Sequence, residues 1–310
     1  MKIDKKILAK LFKTNVKEIG NYCGEKLKNI IRFEYLSSKE IETTIIKIID
    51  KILSDRQIIA SKGRRGKWSI GWNESLNNFK KNNKLSSLVP KFYTERENKI
   101  FRLGGNFIKV KNPNFEIKMV DIYRNWYFKK YFSKVENIYE FGAGTGHNLV
   151  ALSEIYKKKS LFGSDFVSSS VKMLKLVAHT KKIRLKAFLF DMSKPNRKIK
   201  LSKNSAVYTS GALEQLSGNI KKFIDYTVSQ NPKIVVHVEP SIDFYNEKNL
   251  NDYLCKIFLS KRKYTTNLIA YLKKLEKNNK IKIIKICRSP FGSLMIEGYS
   301  LIVWKIKSLS

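Results

Sequence analysis

Cysteine and long apolar runs are both scarce in this sequence of 310 residues. The three cysteines, Cys23, Cys255 and Cys287, lie far apart and form no CxxC pair. Their odd number and wide spacing argue against a disulfide framework and a cysteine zinc site, and they predict a protein of the reducing cytoplasm. No apolar run approaches the roughly 18 residues of a membrane-spanning helix, so no membrane insertion is expected. Charges recur too early in the chain for a secretion signal.

Acidic residues are also few, with 26 Asp and Glu against 62 Lys and Arg and a net charge of +36. Such a charge suggests nucleic-acid binding. The excess is mostly lysine, however, and specific recognition of phosphates and bases favours the rigid fork of arginine. Lysine, asparagine and isoleucine are also the residues that AT-rich codons supply. A general lysine-rich surface is therefore favoured over a polyanion site, and a nucleic-acid partner stays open without being favoured.

Residues 1–120 predict a mainly helical N-terminal domain. Apolar residues recur at helical spacing around Leu8 and again from Ile45 to Ile52. Residues 61–75 differ, because glycines and tryptophans stand among basic residues there; they predict an ordered loop and a candidate lid. Residues 76–120 are expected to continue irregularly. Because ligands bind at the carboxyl ends of the strands in open α/β sheets, this domain should cover that edge of the domain that follows.

Residues 121–310 alternate between short apolar strands and helices. An aromatic-rich helix is predicted at 121–132, followed by strands at 137–141, 160–163, 185–190, 205–209, 233–238, 280–287 and 299–305, and helices at 147–157, 168–180, 217–229 and 249–277. This alternation predicts the α/β class, with a doubly wound, mostly parallel seven-stranded sheet and helices on both faces. The last two strands have no helix between them, so an antiparallel strand is expected at or near the sheet edge.

The most informative segment joins the first of these strands to a helix through Gly142-Ala143-Gly144-Thr145-Gly146. Glycines allow a tight turn and the close approach of a ligand to the backbone. The dinucleotide fingerprint G-x-G-x-x-G needs its third glycine one position later, where His147 stands. Glu140, two residues before the first glycine, suits the ammonium group of an amino-acid moiety and would repel a pyrophosphate. Spacing and charge together therefore point to S-adenosylmethionine.

At this point the sequence resembles the class I S-adenosylmethionine-dependent methyltransferases, over about residues 136–305. Their first motif is an acidic residue followed by G-x-G-x-G, as in Glu140 and the glycines after it. The resemblance implies that Asp165, followed by Phe166 at the next strand end, holds the ribose diol. It also implies that Asp191 lies near the exocyclic amine of adenine and Met192 near its ring. An unliganded turn is the alternative for the glycines, but three carboxylates at successive strand ends favour an S-adenosyl-L-methionine site.

Two departures from the family bear on the substrate. Glu214 stands where many members with small-molecule substrates carry histidine. The family's adenine-N6 amino methyltransferases carry Asn/Asp-Pro-Pro-Tyr or Phe after the fourth strand, and this chain has Ser210-Gly211-Ala212-Leu213 there. Methylation of an exocyclic base amine is therefore disfavoured.

The fourth and fifth strand ends supply the candidate catalytic residues Glu214, His237 and Glu239. They are expected to flank the reactive methyl group, where a hydroxyl or amine acceptor needs a group that takes its proton. Two glutamates and one histidine are also a candidate metal site, although no metal is expected. For His237 the alternative is a hydrogen-bonded core residue within its strand.

The acceptor is expected to contact Tyr245 and Tyr264, in the long insert after the fifth strand, and Arg288. With Arg64 and Arg65 these side chains could bind an anionic substrate. Aromatic residues of the N-terminal part either line a substrate cover or pack against the sheet: Trp68, Trp72, Trp126 and Tyr127. Packing is the favoured role for Trp126, which lies on the linking helix.

Three functions are consistent with these features. The favoured one is a methyltransferase for a small molecule, a sugar or sugar-like metabolite, by O- or N-methylation, because several short segments are similar to those of bacterial enzymes linked to surface-glycan clusters. The second is an RNA or protein methyltransferase that holds a polymer through the basic N-terminal region. The third is a binding module that keeps the cofactor site but has lost methyl transfer. The sequence leaves the oligomeric state open.

Overall fold

In a computed structural model of the protein, the residues described are 1–28, 31–58, 62–90, 93, 100–112, 114–217, 219–264 and 267–307. The strands of the larger sheet are β4 (Asn137–Phe141), β5 (Ser160–Asp165), β6 (Leu185–Leu189), β7 (Ser205–Ser210), β8 (Ile234–Glu239), β9 (Ile281–Cys287) and β11 (Ser300–Ile306). Their order is β6-β5-β4-β7-β8-β11-β9. In this sheet β11 runs antiparallel to the other six strands. The predicted mostly parallel sheet is confirmed, and the antiparallel strand lies one place in from the edge.

Helices cover both faces of this sheet, because alternate residues of each strand point to opposite sides. Tyr208 and Val236 belong to one apolar core, and Val207 and Val235 belong to the other. The helices of this half are Phe115–Phe132, His147–Ile155, Ser168–Thr180, Ile220–Ser229, Leu250–Lys261 and Leu268–Lys277. Strands that are buried on both faces need continuous apolar runs, which the sequence provides.

The prediction of one helix at 249–277 is wrong. Two helices stand there, and Lys263 and Asn267 between them have positive φ angles of 54° and 73°. A right-handed helix cannot continue through the left-handed region, so the chain turns. The connection before the last strand is also more than a turn, since it contains the short strand β10 (Phe291–Gly292).

The N-terminal part is helical at Lys5–Leu11, Val16–Cys23, Ser38–Ser54 and Lys62–Asn82. It also contains strands β1 (Glu34–Tyr35), β2 (Ile100–Leu103) and β3 (Asn106–Lys109), so the irregular course predicted for 76–120 is wrong. These strands form a small sheet in the order β1-β3-β2-β10. Residues from both halves of the chain therefore share it. Helix Phe115–Phe132 runs through the predicted boundary after residue 120, and that division stays a prediction.

The segment predicted as an ordered loop at 61–75 is helical from residue 62 onward, as part of Lys62–Asn82, which we call the cover helix. Residue 61 itself lies outside the described residues. The second half of the cover helix packs through Leu76 and Phe79 against Val150 and Met173. The sequence did not predict this helix, because glycine disfavours helices and the apolar residues of the segment do not fall on one helical face. Among the described helices none is long and apolar enough to span a bilayer.

Helix Phe115–Phe132 is buried on nearly all sides between the N-terminal helices and the sheet. Trp126 is fully buried, its ring lies 5.3 Å from that of Phe12, and its Nε1 donates to Glu18 at 2.6 Å. The packing role predicted for Trp126 is confirmed. On the opposite face Tyr127 contacts the Tyr208 hydroxyl of β7 at 2.9 Å. This helix therefore joins the N-terminal helices to the larger sheet.

Candidate active site

The glycine loop between β4 and helix His147–Ile155 has a conformation that requires glycine. Gly142, Gly144 and Gly146 have φ angles of 75°, 53° and 80°. A Cβ atom on Gly142 would lie 2.5 Å from the Cβ of Ala212, and one on Gly146 would lie 2.5 Å from Leu174. The loop is therefore packed as closely as its backbone allows. It exposes a narrow backbone surface of the kind that a ligand can approach.

Glu140, at the end of β4, is a buried carboxylate that faces the cavity next to this loop. Its Oε1 accepts a hydrogen bond from Asn148 Nδ2 at 2.8 Å, and its Oε2 has no partner among the described residues. Burial raises the pKa of Glu140 to about 8, against the opposing effects of Asn148 and Arg124. An unpartnered buried carboxylate oxygen is costly unless a ligand satisfies it. A cationic group fits this position.

Asp165, at the end of β5, is bound by the backbone of the loop beside it. Its Oδ2 accepts from the Gly144 amide and its Oδ1 from the Val167 amide, each at 3.0 Å. Burial raises its pKa, and these amide hydrogen bonds partly offset the shift. Each carboxylate oxygen can accept more than one hydrogen bond, so a ligand hydroxyl can still bind here.

Asp191 follows β6 and is joined to the cover helix. Its Oδ1 accepts from the amide and hydroxyl of Ser193 at 2.9 and 2.6 Å, and its Oδ2 pairs with Arg65 at 2.7 Å. Burial raises the pKa of Asp191, but Ser193 and Arg65 outweigh that effect and the pKa lies below its ordinary value. Asp165, Phe166, Asp191 and Met192 all line one small cavity of about 90 Å³. The structure thus brings together the residues that were predicted to hold ribose and adenine.

The cover helix forms the other side of that small cavity. The guanidinium of Arg65 lies 4.3 Å from the ring centre of Phe166, and Trp68 Nε1 donates to Gln215 at 3.0 Å. Trp72 lies so close to the glycine loop that a Cβ on Gly144 would be 2.8 Å from its ring. The side chain of Arg64 lies outside the described residues. Trp68 and Trp72 therefore line the site and are not packing residues only.

A larger cavity of about 670 Å³ extends from the glycine loop and Glu140 toward the N-terminal elements. Residues from both halves of the chain line it. Those beyond the glycine loop include Lys51, Ile100, Glu116, His147, Glu214, Phe258, Arg262, Tyr264, Leu294 and Tyr299. Its volume is within the usual range of small-molecule sites.

Two of the predicted catalytic residues lie outside the lining of both cavities. Glu239 is buried and accepts from the Ala212 amide at 3.0 Å, and burial raises its pKa to about 7. His237 is fully buried within β8, where its Nδ1 lies 2.9 Å from Thr209 Oγ1, and burial lowers its pKa to about 3. The expectation that both would meet the substrate is corrected: His237 is the core residue of the alternative interpretation, and Glu239 holds the turn that leads to Glu214.

Of the three predicted substrate residues, one lines a cavity and two do not. Tyr264 lines the larger cavity, whereas Tyr245 and Arg288 do not. The Tyr245 hydroxyl donates to the backbone carbonyl of Glu297 at 3.2 Å. Arg288 pairs with Asp252 at 2.7 Å and with Glu297 at 2.6 Å. Both residues therefore hold the loop after β10 in place, because their polar groups are engaged with protein partners.

Several cavity residues were missed from the sequence. Glu116 is buried in the first turn of helix Phe115–Phe132 and accepts from the Tyr299 hydroxyl at 2.7 Å. His147 follows the glycine loop, and Arg124 Nη1 lies 3.0 Å from its Nδ1. Burial, with Arg124, lowers the pKa of His147 to about 3, so the ring is neutral. The sequence offered no indication of these pairs, since an acid in a first helical turn is common wherever it lies.

No family model matches the chain, and no curated protein does. Solved structures match it. The [4+2]-cyclase SpnF has a TM-score of 0.45 and 9% identity, over 60% of this chain and 80% of that one. A SAM-dependent methyltransferase from Aquifex aeolicus has a TM-score of 0.41 and 12% identity; the match covers 58% of this chain and 87% of that one. A putative RNA methyltransferase from Pyrococcus horikoshii, PH1948, has a TM-score of 0.42 and 11% identity; the match covers 65% of this chain and 87% of that one. This likeness concerns the fold alone.

The sheet order and the glycine loop agree with the resemblance to class I S-adenosylmethionine-dependent methyltransferases at the level of the fold. The loop and the carboxylates of Glu140, Asp165 and Asp191 lie at three adjacent strand ends. Among the described residues, no group of three or more His, Cys, Asp or Glu side chains could hold a metal ion.

Proposed function

We propose that the protein is an S-adenosyl-L-methionine-dependent methyltransferase that acts on a small molecule, a sugar or a sugar-like metabolite. The observation that carries this proposal is the Glu140 side chain, which lines the larger cavity and whose buried Oε2 has no partner in the described part of the chain. It lies beside a glycine loop that leaves no room for a side chain at Gly142 or Gly146. An amino-acid ammonium would satisfy the carboxylate where a phosphate would be repelled.

The residues of the site fit the parts of this cofactor. Glu140 would hold the ammonium group, Asp165 the ribose hydroxyls, and Asp191 with Met192 the adenine, while Ala143 and Phe166 line the path between them. Bound in this way, the cofactor supplies an electrophilic methyl group. The protein's contribution is to position an acceptor in line with that methyl group and to exclude water around it.

The acceptor side of the larger cavity supports a small polar molecule. It is bounded by Lys51 and Ile100 from the N-terminal part and by Leu294 from the loop after β10. Tyr264 and Tyr299 add hydroxyl groups and aromatic faces, as a polyhydroxylated acceptor would require. Walls from both halves of the chain favour a small acceptor over a polymer.

Glu214 is the proposed proton acceptor. It lies on the wall of the larger cavity, at the 3₁₀ turn Leu213–Leu216 after β7. Glu239 accepts hydrogen bonds from the Ala212 amide and so orients this turn. A carboxylate that takes the proton of an acceptor hydroxyl during methyl transfer contributes about 10²–10⁴-fold to the rate. Glu239 is therefore a positioning residue.

The experiment that tests this proposal is a screen with methyl-labelled cofactor against sugar nucleotides, amines and total RNA. Label transfer to a sugar-containing acceptor would support it. Transfer to RNA with a strong salt dependence would replace it with a polymer methyltransferase that uses the basic N-terminal region. Cofactor binding without transfer to any acceptor would indicate a binding module instead.

A further inference from the structure

The first half of the cover helix contacts the cofactor site at three points. Arg65 pairs with Asp191 at 2.7 Å, Trp68 donates to Gln215 at 3.0 Å, and Trp72 packs on the glycine loop. The cavity of about 90 Å³ between this half and Asp165 is smaller than the roughly 300–1,000 Å³ of ligand sites. The cavity as it stands is therefore too small for a nucleoside, and this half of the helix is one of its walls.

The two halves of the cover helix are held in different ways. In the second half, Leu76 and Phe79 are buried against Val150 and Met173, and the Asn83 carbonyl just beyond it accepts from Lys181 at 2.8 Å. From residue 65 to residue 75 no side chain is buried. The first half is thus attached mainly through its contacts with the cofactor site, while the second half is anchored in a hydrophobic core.

Gly66 and Gly71 lie within this first half of the helix. A Cβ on either residue would meet no atom within 4 Å, so neither glycine is needed for close packing. A glycine in a helix weakens the helical state about two- to fivefold relative to alanine. Two glycines that packing does not require therefore make this segment easy to unwind.

We propose that residues 65–72 form a gate over the cofactor site, an inference that rests on the proposed function. The gate opens when Arg65 separates from Asp191 and Trp72 from Gly144, with unwinding at Gly66 and Gly71. It closes again over the bound nucleoside, and Trp68 and Trp72 then form part of its wall. The N-terminal part would thus control the exchange of cofactor and product.

The test is the kinetics of S-adenosylhomocysteine binding, followed by stopped-flow tryptophan fluorescence. Trp68 and Trp72 line the site, whereas Trp126 and Trp304 are fully buried elsewhere. In the double variant Gly66→Ala/Gly71→Ala, association and dissociation should both slow by roughly five- to thirtyfold. The Kd should change by less than about twofold, because the alanines stabilise the closed helix in the free and bound states alike.

The matched control is Gly20→Ala in helix Val16–Cys23, where the new Cβ would make an ordinary contact of 3.7 Å with Lys5 Nζ. It should leave both rates unchanged. Arg65→Gln should act in the opposite direction and speed both rates, since it removes the ion pair that holds the gate. Wild-type rates in the double variant, with the ligand still bound, would overturn the gate. If the wild type does not bind S-adenosylhomocysteine at all, the proposed function fails first, and the gate with it.

Discussion

Asn148 Nδ2 donates to Glu140 Oε1 at 2.8 Å and thereby orients a carboxyl group that lines the larger cavity and whose Oε2 has no partner among the described residues. Asn148 lies in the first turn of the helix that follows the glycine loop. The same loop thus positions both the amide that orients the carboxylate and the backbone against which the ligand lies. The carboxylate is fixed before the ligand arrives, which lowers the entropy cost of binding.

Removal of the Glu140 charge should weaken cofactor binding. Glu140→Gln removes the negative partner of the ammonium group, and we expect a loss of about 1.5–3 kcal/mol in S-adenosylhomocysteine affinity, the usual value for a hydrogen bond to a charged group. Isothermal titration calorimetry measures this. Glu154→Gln, on the exposed side of the same helix as Asn148, is the control and should bind as the wild type does. Equal affinity of the Glu140 variant would refute the ammonium assignment.

The contribution of Glu140 and Glu239 to the stability of the ligand-free protein should fall as the pH rises. Burial raises the pKa of Glu140 to about 8 and that of Glu239 to about 7, from an ordinary value of 4.5. Between those values these two groups bind more protons in the folded state than in the unfolded state, so their contribution to the free energy of unfolding decreases with pH. Urea unfolding at pH 5 and pH 8 should show Glu140→Gln gaining stability relative to the wild type at the higher pH. If the difference in unfolding free energy between Glu140→Gln and the wild type is the same at both pH values, the raised pKa of Glu140 is contradicted.

Glu214 should be needed for methyl transfer but not for cofactor binding. Glu214→Gln should lower kcat by about 10²-fold or more for a hydroxyl acceptor, because the proton acceptor is lost, while cofactor affinity is retained. Steady-state kinetics with the acceptor found in the screen measure kcat, and calorimetry measures the cofactor affinity. An unchanged kcat would place the proton acceptor elsewhere, with Glu116 as the next candidate.

Glu239→Gln should act mainly on stability. The carboxylate is buried and accepts from the Ala212 amide, so an amide side chain there would leave a buried polar group badly paired. We expect the free energy of unfolding to fall by about 1–3 kcal/mol. The rescue test is Glu239→Asp, which keeps a carboxyl group that can accept from the Ala212 amide and should recover part of the loss. A large fall in kcat without any loss of stability would instead return Glu239 to the reacting groups.

Arg288→Met should destabilise the protein without a direct effect on binding. Arg288 pairs with Asp252 and Glu297, and the Glu297 side chain is fully buried. Removal of one member of a buried pair costs about 3–5 kcal/mol, and we expect about 2–3 kcal/mol because the Arg288 side chain is 26% exposed. Thermal unfolding measures the loss. An anionic acceptor that binds the folded variant much more weakly would restore the substrate role first predicted for Arg288.

The fold and the cofactor end of the site could be predicted from the sequence because both rest on local patterns. A strand, an acid and spaced glycines occur within a few residues around Glu140. Asp165 and Asp191 follow their own strands, and parallel strands bring their carboxyl ends to one edge. The positions of these residues therefore follow from the order of the strands alone.

The acceptor end could not be predicted in the same way, because it depends on contacts between distant residues. Glu116 and Tyr299, for example, are 183 positions apart. His237 and Glu239 have the residue types of an active site, but only the packing of the sheet shows that they point away from the cavity. The cover helix was missed because its glycines oppose the helical state that its tertiary contacts stabilise.

The pairing of β2 with β10 has a consequence for biosynthesis. Arg102 Nε, on β2, donates to the Leu294 carbonyl, which is 192 positions further along the chain. At about 5–20 residues per second, a ribosome needs roughly 10–40 s to make the intervening segment. Throughout that time the β2–β3 hairpin has a strand edge without its native partner. The acceptor cavity is therefore completed only after β10 and the loop that follows it have been synthesised, and the nascent chain must protect that edge until β10 emerges.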